Sequence, residues 1–449
     1  MERLLAAALA RIQQLEARLK MNSGNSSRPP SSDDPAVPPK PTKEPTGRKR
    51  GGQPGHLKHE RMLLPAERVR SVRECLPDAC RGCGDSLDGT DPEPQVHQVF
   101  DIPRLIALAD EFRLHSLYCT RCGITTQGRL PAGVPTTGIS PRFEALIGML
   151  GGKYRLSKRL VQEMCGDVFD VDISLGSVCN AEKLVSASIA EPVAEAREAV
   201  KAAAVVHADE TGWREAKHKA WLWVATTSTI AVFLIRRRRN TDVAKELLGA
   251  FFPGRLITDR WAAYDFVNHL RRQLCWAHLK RDFKSFLDHG PEAKRIGLAI
   301  ENARKRLFRH WYRARDGTIR RSTLQANTRP IQREILDLLR EGIHCPSKKV
   351  SGMCRAILKA QHSLFTFITH EGVEPTNNHA EQTIRHAVIW RKLCFGTDSE
   401  GGSRFVERVL TVVQTLRLQK RNVLDYLTSA CEARLNGQSP PSLITPPPA

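Results

Sequence analysis

The sequence predicts a multidomain α/β protein, and three observations point there. Residues 204–276 place short apolar runs around one hairpin-like and one helical pattern, the order expected of a sheet with helices packed on it. Two close cysteine pairs, Cys80-x-x-Cys83 and Cys119-x-x-Cys122, mark a small domain organised by a metal rather than by a large core. Helical periodicity fills residues 136–203, about 283–372, and the stretch from 405 to 435. A chain of 449 residues has room for roughly two to four such domains.

Charge narrows the partner. Lys and Arg number 69 against 48 Asp and Glu, a net charge of +21. Solubility alone can explain a basic surface, but clusters at Arg48-Lys49-Arg50 and residues 236–239 favour nucleic acid, because each phosphate neutralised releases counterions. The first twenty residues are charged throughout and lack a small-residue cleavage site, so a cytoplasmic protein is expected. The nearest approach to a membrane span, residues 220–235, is too short and is broken by Thr226, Thr227, Ser228 and Thr229. A β-hairpin explains it better, and no membrane partner is expected. Twelve cysteines without a secretion signal fit reduced thiols and a metal site better than disulfides.

In chain order, Leu5, Ile12 and Leu19 recur every seven residues with Ala8 and Leu15 between them, so residues 1–21 read as a short coiled-coil-like helix. Self-association and capping of another domain both fit so short a helix. Residues 22–60 read as a disordered basic linker, Ser- and Pro-rich at first. Its GRKRGGQPGHLKH stretch (47–59) suits either minor-groove contact through Arg48, Lys49 and Arg50 or a solvated connection.

Residues 61–135 read as a zinc-binding domain of zinc-ribbon type. Each cysteine pair sits in a knuckle, Cys-Arg-Gly-Cys-Gly and Cys-Thr-Arg-Cys-Gly, whose glycine permits the bend that turns both thiolates to one ion. Four thiolates make a closed tetrahedral site, so Cys80, Cys83, Cys119 and Cys122 are expected to hold one structural zinc. Residues 95–104 and 111–117 read as strands between the pairs, with Cys75 and His97 as bystanders. A redox dithiol would need a thioredoxin-like βαβ unit, which the pattern lacks.

From Pro141, one face carries Phe143, Leu146, Ile147 and Leu150, and the next carries Leu156, Leu160, Val161 and Met164. After a break at residues 166–172, Ser174 is placed to cap a helix bearing Leu175 and Val178. Residues 136–203 are therefore read as a helical DNA-binding region with a helix-turn-helix across about 156–184. Two packed helices of an α-rich domain give the same pattern. An alanine-rich helix over 182–203 leads onward.

The core segment then reads as a strand at 204–208, a hairpin at 221–227 and 231–236, a helix at 241–251 opened by a Thr cap, and short strands at 256–258 and 272–276. Strand, hairpin, helix, strand is the order of an RNase H-like sheet. Three acids stand at element ends: Asp209 and Asp259 close short apolar runs, and Glu381 lies in a polar turn that opens a helix. Three carboxylates suit two magnesium ions, which take oxygen ligands. Each acid has a plainer reading as a turn cap or first-turn helix residue. Glu210 competes with Asp209, but alternation lets only one of them face a metal. His207 and His278 either contact phosphate or merely pack.

The motifs HADETGW (207–213), TDRWAAY (258–264), CWAHLKRDF (275–283) and TNNHAEQTIRHAVIWRKLCFGT (376–397) resemble the transposases of the IS66 family of bacterial insertion sequences. The likeness extends to the N-terminal and cysteine segments. It implies an RNase H-like catalytic domain over 204–395, with the first and fourth strands adjacent and a helical insertion at about 283–372. Asp209, Asp259 and Glu381 become the DDE triad, binding two Mg²⁺ or Mn²⁺ ions. The implied activity is metal-dependent cleavage at insertion-sequence ends and strand transfer to target DNA, in a nucleoid-associated cytoplasmic enzyme. Homo-oligomers and accessory proteins from the same element are the further partners implied. Lys280, Arg281, Arg385, Arg391 and Lys392 are candidates for phosphate contact, although a basic face is commonly just solvated. One departure is Gln382, where the family commonly has Arg beside the third carboxylate. Residues 396–449 are expected to form a C-terminal helical element and a Pro-rich tail. The alternative reading is a zinc-containing DNA-binding regulator, or an inactive relative, whose acids are structural.

Overall fold

The computed structural model describes residues 62–444, together with Leu5, Ile12, Leu15 and Glu16, which are helical and exposed. The rest of the heptad pattern, the linker with Arg48, Lys49 and Arg50, and the last five residues lie outside the described residues. Two compact units are present, one of residues 36–106 and one of residues 1–35 with 107–449. The division falls inside the segment expected to form the zinc domain.

Among the described residues 62–106, the backbone is irregular apart from a 3-10 turn at Ala66–Arg68. The strand expected at 95–104 is absent: Val96, Val99 and Ile102 are exposed. Pro103 removes a ladder donor, and a strand without a paired neighbour is not stable alone. Residues 80–85 do form the expected knuckle. The Gly84 N–H donates to Cys80 O at 3.0 Å, the Cys80 N–H to Asp85 O at 2.8 Å, and Gly84 takes φ 82°.

In the second unit, β1 (Ser116–Tyr118) pairs antiparallel with β2 (Thr125–Gln127), so only the end of the strand expected at 111–117 forms. This hairpin closes a knuckle of the same design, with the Gly123 N–H on Cys119 O at 2.8 Å and the Cys119 N–H on Ile124 O at 2.9 Å. Four helices follow: α1 (Pro141–Gly152), α2 (Lys158–Phe169), α3 (Leu175–Ser188) and α4 (Ala190–Lys201). Ser140, Ser157 and Ser174 cap the first three with their side chains. Helix α2 ends on Asp170 in the left-handed region at φ 57°, which Asp tolerates. The single helix expected over 182–203 is broken at Ile189, because Pro192 lacks the N–H that would bond back to Ser188 and so belongs in a first turn.

The mixed sheet holds β3 (Val205–Glu215), β4 (His218–Thr226), β5 (Ala231–Arg236), β6 (Arg255–Thr258) and β7 (Arg272–Leu274), in the order β5-β4-β3-β6-β7. Strand β3 pairs antiparallel with β4 and parallel with β6, and β6 parallel with β7. Helix α5 (Thr241–Leu248) joins β5 to β6. Its cap is Asn240, not the expected Thr241: the Asn240 Oδ1 accepts the Val243 N–H at 3.3 Å.

After β7 come α6 (Trp276–Ser285), α7 (Pro291–Arg315), α8 (Arg321–Gly342), α9 (Lys348–Lys359) and the one-turn α10 (Thr366–Thr369). They bury a core of their own, including Trp276, Ile296, Ile300, Leu307, Leu324, Ile335 and Ile357, which meets the sheet at Ile257 and Leu274. The chain returns through α11 (Asn378–Cys394), which packs on β3 and β4, and ends with α12 (Glu400–Leu418) and α13 (Val423–Leu435).

Helix α12 covers the open edge of β5. Thr415 Oγ1 accepts the Ala231 N–H at 3.1 Å, Thr411 Oγ1 accepts that of Phe233 at 3.0 Å, and the Glu407 carboxylate accepts that of Ile235. Glu407 is buried and is paired with Arg236 at 3.0 Å, Arg404 at 3.1 Å and Arg197 at 3.6 Å.

Candidate active site

The parallel pairing of β3 and β6 ends at His207↔Ile257. Two residues beyond that pair stand Asp209, still within β3, and Asp259, just past the end of β6, so the register brings the two acids to the end of the β3–β6 ladder. Asp209 continues in β3, opposite Val224 of β4, and its Oδ1 accepts the Glu210 N–H at 2.9 Å. Asp259 instead leaves the sheet, its Oδ1 accepting the Trp261 N–H at 2.9 Å in a tight turn.

Arg272 fixes that turn. Its buried guanidinium donates to Thr258 Oγ1 (3.1 Å), Asp259 O (2.9 Å), Trp261 O (3.0 Å) and Asp265 Oδ1 (2.6 Å). A planar fork with five donors can span four acceptors; an ammonium cannot.

The third acid comes from α11. Asn377 occupies the N-cap position, but its side chain turns to β3 instead of capping. The Nδ2 donates to Ala208 O at 2.8 Å, and Oδ1 accepts from His207 Nδ1 at 3.3 Å. His379 Nε2 donates to Thr227 O at 2.7 Å, and its ring lies edge-on to His207 at 5.3 Å. These contacts tie the start of α11 to the sheet, and Glu381, one turn into the helix, has its Oε1 3.5 Å from His278 Nδ1 and 4.0 Å from Cys275 Sγ. The separation in sequence is thus erased by two side chains.

The acids, Glu210 among them, repel one another electrostatically. Burial raises the Asp209 carboxyl well above the usual carboxylate range, and Glu210, Asp259 and Glu381 add like-charge repulsion. Burial also raises Glu381, with Arg281 opposing and Asp259 reinforcing the shift. Glu210 points to the other face, as alternation requires. Its carboxylate accepts from Tyr264 Oη at 2.7 Å and from Arg239, whose guanidinium stacks 3.9 Å from the Trp261 ring. Burial holds His207 neutral, with its pKa lowered to about 4.

The basic candidates divide. Arg281 acts electrostatically on Glu381, and its Nε is buried without a hydrogen bond among the described residues. Arg391 is turned to β3, donating to Gly212 O at 2.8 Å and Thr211 Oγ1 at 3.2 Å. Lys280, Arg385 and Lys392 are exposed, as is Gln382. Sequence reasoning passed over Arg272 and Tyr264 because a buried arginine or tyrosine carries no mark of its burial. Of the basic cluster at 236–239, Arg239 is paired with Glu210, Arg237 with Glu215, and Arg236 with Glu407 and Glu246. It also passed over Cys275, whose spacing to His278 was the available signal. The cysteine knuckles lie one in each unit. Within them, backbone N–H groups of Cys83 and Gly82, and of Cys122 and Arg121, lower the Cys80 and Cys119 thiols respectively.

A mixed sheet flanked by helices, with two carboxylates just past the point where the parallel pairing of β3 and β6 ends, defines the class of the fold as mixed α/β. The model of the Transposase IS66 family matches residues 154–404, and this chain belongs to that family. A second model, of a family of unknown function (DUF6444), matches residues 2–62. The uncharacterized protein y4qI of Sinorhizobium fredii (strain NBRC 101917 / NGR234) is 27% identical over 232 residues, covering 47% of this chain and 43% of that protein. The chain thus matches less than half the length of this curated relative. No helix among the described residues is long and apolar enough to cross a membrane.

Proposed function

We propose that the chain is a DDE transposase with an RNase H-like core, in which Asp209, Asp259 and Glu381 form a two-metal phosphoryl-transfer centre. The observation that supports this reading is the register of β3 and β6, with Asp209 and Asp259 at the end of their ladder, while Asn377 and His379 tie the start of the Glu381 helix to β3 and Thr227. The donor set fits magnesium or manganese, since all three side chains offer hard oxygen ligands whose mutual repulsion a cation relieves. When bound, two such ions polarise the phosphodiester and stabilise the attacking and leaving oxygens.

The chain's own contribution is position and charge. Asp209 is fixed within the sheet, Asp259 by the Arg272-braced turn and Glu381 by the α11 anchor, so little reorganisation is needed at the moment of reaction. Arg281 acts electrostatically on Glu381 and is assigned a phosphate oxygen in this reading. Water attacks the phosphodiester at the element end, and the freed 3′-hydroxyl then attacks target DNA in line, with no covalent protein intermediate. Lys280, Arg385 and Lys392 offer exposed charge for the flanking backbone. Holding two element ends calls for at least a dimer, with accessory proteins of the same element as further partners.

The test uses labelled DNA bearing the element's own termini, a target plasmid and Mg²⁺ or Mn²⁺, with the accessory proteins supplied in parallel. Cleaved ends and joined products are expected. Cleavage without joining would make the protein a nuclease, and binding without cleavage would favour a zinc-containing DNA-binding regulator.

From the sequence spacing we further propose that Cys80, Cys83, Cys119 and Cys122 hold one structural zinc. Metal analysis of freshly purified, reduced protein should show zinc that is lost when Cys80 and Cys83 are both changed to Ser. Zinc content unaffected by that change would remove the proposal.

A further inference from the structure

Cys275, His278 and Glu381 form a cluster that the carboxylate reading leaves partly unused. Their ligand atoms all lie within 4.8 Å of one another. Glu381 Oε1 is 4.0 Å from Cys275 Sγ and 3.5 Å from His278 Nδ1.

Each group is held from behind. The Cys275 N–H donates to Thr258 O at 2.8 Å, next to Asp259, which fixes the start of α6 against β6. The thiol sulfur accepts the Asn377 N–H at 3.1 Å, an outer-shell hydrogen bond of the kind that steadies a metal-bound thiolate. His278 follows at the spacing of a metal-binding knuckle, its N–H on Cys275 O at 3.1 Å. Its Nδ1 is buried and has no hydrogen bond among the described residues, a condition that asks for an explanation in a native fold. The His278 and Glu381 side chains are 19% and 36% exposed, which leaves an ion a path in.

The donor chemistry selects the metal. Magnesium takes oxygen ligands, whereas thiolate, imidazole and carboxylate together suit zinc. Around tetrahedral zinc, with bonds of about 2.0 Å to nitrogen and oxygen and about 2.3 Å to sulfur, neighbouring donors stand roughly 3.3–3.6 Å apart. The nitrogen–oxygen separation of 3.5 Å already matches, the sulfur–oxygen separation of 4.0 Å is slightly long, and sulfur and nitrogen stand within 4.8 Å of each other.

We propose that Cys275, His278 and Glu381 form a zinc site with three protein ligands and an open fourth position, sharing Glu381 with the catalytic centre. Binding releases the Cys275 thiol proton. Occupation draws Glu381 away from the other two carboxylates, so zinc inhibits the magnesium-supported reaction. That consequence rests on the catalytic reading of Glu381 above; the binding itself does not.

The test strips the full-length protein of metal under reducing conditions and counts the equivalents of zinc, and of cobalt as its spectroscopic stand-in, taken up by wild type, Cys275→Ser and His278→Asn. Each variant is expected to bind one equivalent fewer than wild type and to lose part of the tetrahedral cobalt absorption. The knuckle cysteines are common to all three proteins and cancel in the difference. Equal uptake by all three would overturn the site. Zinc-edge anomalous scattering from zinc-soaked wild-type crystals needs no variant to fold: a peak among the three side chains supports the site, and a featureless map there overturns it. The two readings fail separately. If no protein cuts DNA yet the one-equivalent difference persists, the zinc site stands without the transposase chemistry. If wild type cuts with magnesium and all three proteins take up equal zinc, the zinc site fails and the chemistry stands.

Discussion

Arg272 shows how much of the site depends on a side chain that touches no substrate. It is 1% exposed, and its four hydrogen bonds hold the turn on which Asp259 stands. Arg272→Lys keeps the charge but cannot reach all four acceptors. It is expected to cost about 2 kcal/mol or more in urea unfolding, and to raise the divalent-metal concentration needed for half-maximal cleavage. An unchanged metal requirement would mean that the turn is held by something else. His207 makes a second residue-scale prediction. Its folded pKa of about 4 lies below the unfolded value of 6.5, so its contribution is fully present above pH 6.5 and is lost as pH falls toward 4. The unfolded chain binds the proton that the fold refuses. Between pH 7 and pH 5 wild type should lose about 2 kcal/mol relative to His207→Gln, read from paired urea titrations. The acids were legible in the sequence because Asp209 and Asp259 end apolar runs and Glu381 opens a helical pattern. Arg272 was not, since nothing in a sequence separates a buried guanidinium from a solvated one. Asn377 was visible only as part of a motif, and its role appears once β3 lies beside it.

Among the elements, α12 and β5 show packing that neither pattern announces alone. Residues 407, 411 and 415 repeat every four positions along the helix, about 6 Å apart. The N–H groups of residues 231, 233 and 235 repeat every second position along the strand, about 6.6 Å apart. The two periods are close enough for three side chains to satisfy three edge donors, and the sheet edge is thereby closed to other strands. Thr411→Val keeps the shape and leaves the Phe233 N–H buried without its acceptor, which should cost about 1–3 kcal/mol in urea unfolding. Thr411→Ser should retain most of the stability, and equal loss in both variants would point to packing instead. From the sequence, this helix reads only as part of a C-terminal helical element. Strand β3 was underestimated for a related reason: Asp209 to Gly212 interrupt its apolar run, while pairing with β4 carries the strand on to Glu215. The run at 95–104 failed in the opposite sense, having β-forming residues but no partner strand.

For the molecule as a whole, the order strand, hairpin, helix, strand was enough to expect the mixed sheet, because few topologies accommodate it. The placement of β3 between β4 and β6 came with the family likeness rather than from periodicity. The helices between Asp259 and Glu381 bury their own core, so they form a folded body and return the chain to the sheet at a defined place. That return is what lets a distant glutamate join two strand-end aspartates. The claim that these three carboxylates form one catalytic centre is tested most directly by metal-dependent nicking of the element's termini. Wild type would be compared with Asp209→Asn, Asp259→Asn and Glu381→Gln, with DNA binding followed in parallel. We predict nicking by wild type with Mg²⁺ or Mn²⁺ and a loss of at least about a hundredfold in each variant, at undiminished DNA affinity. Nicking that survives any one of the three substitutions at close to the wild-type rate would contradict the claim.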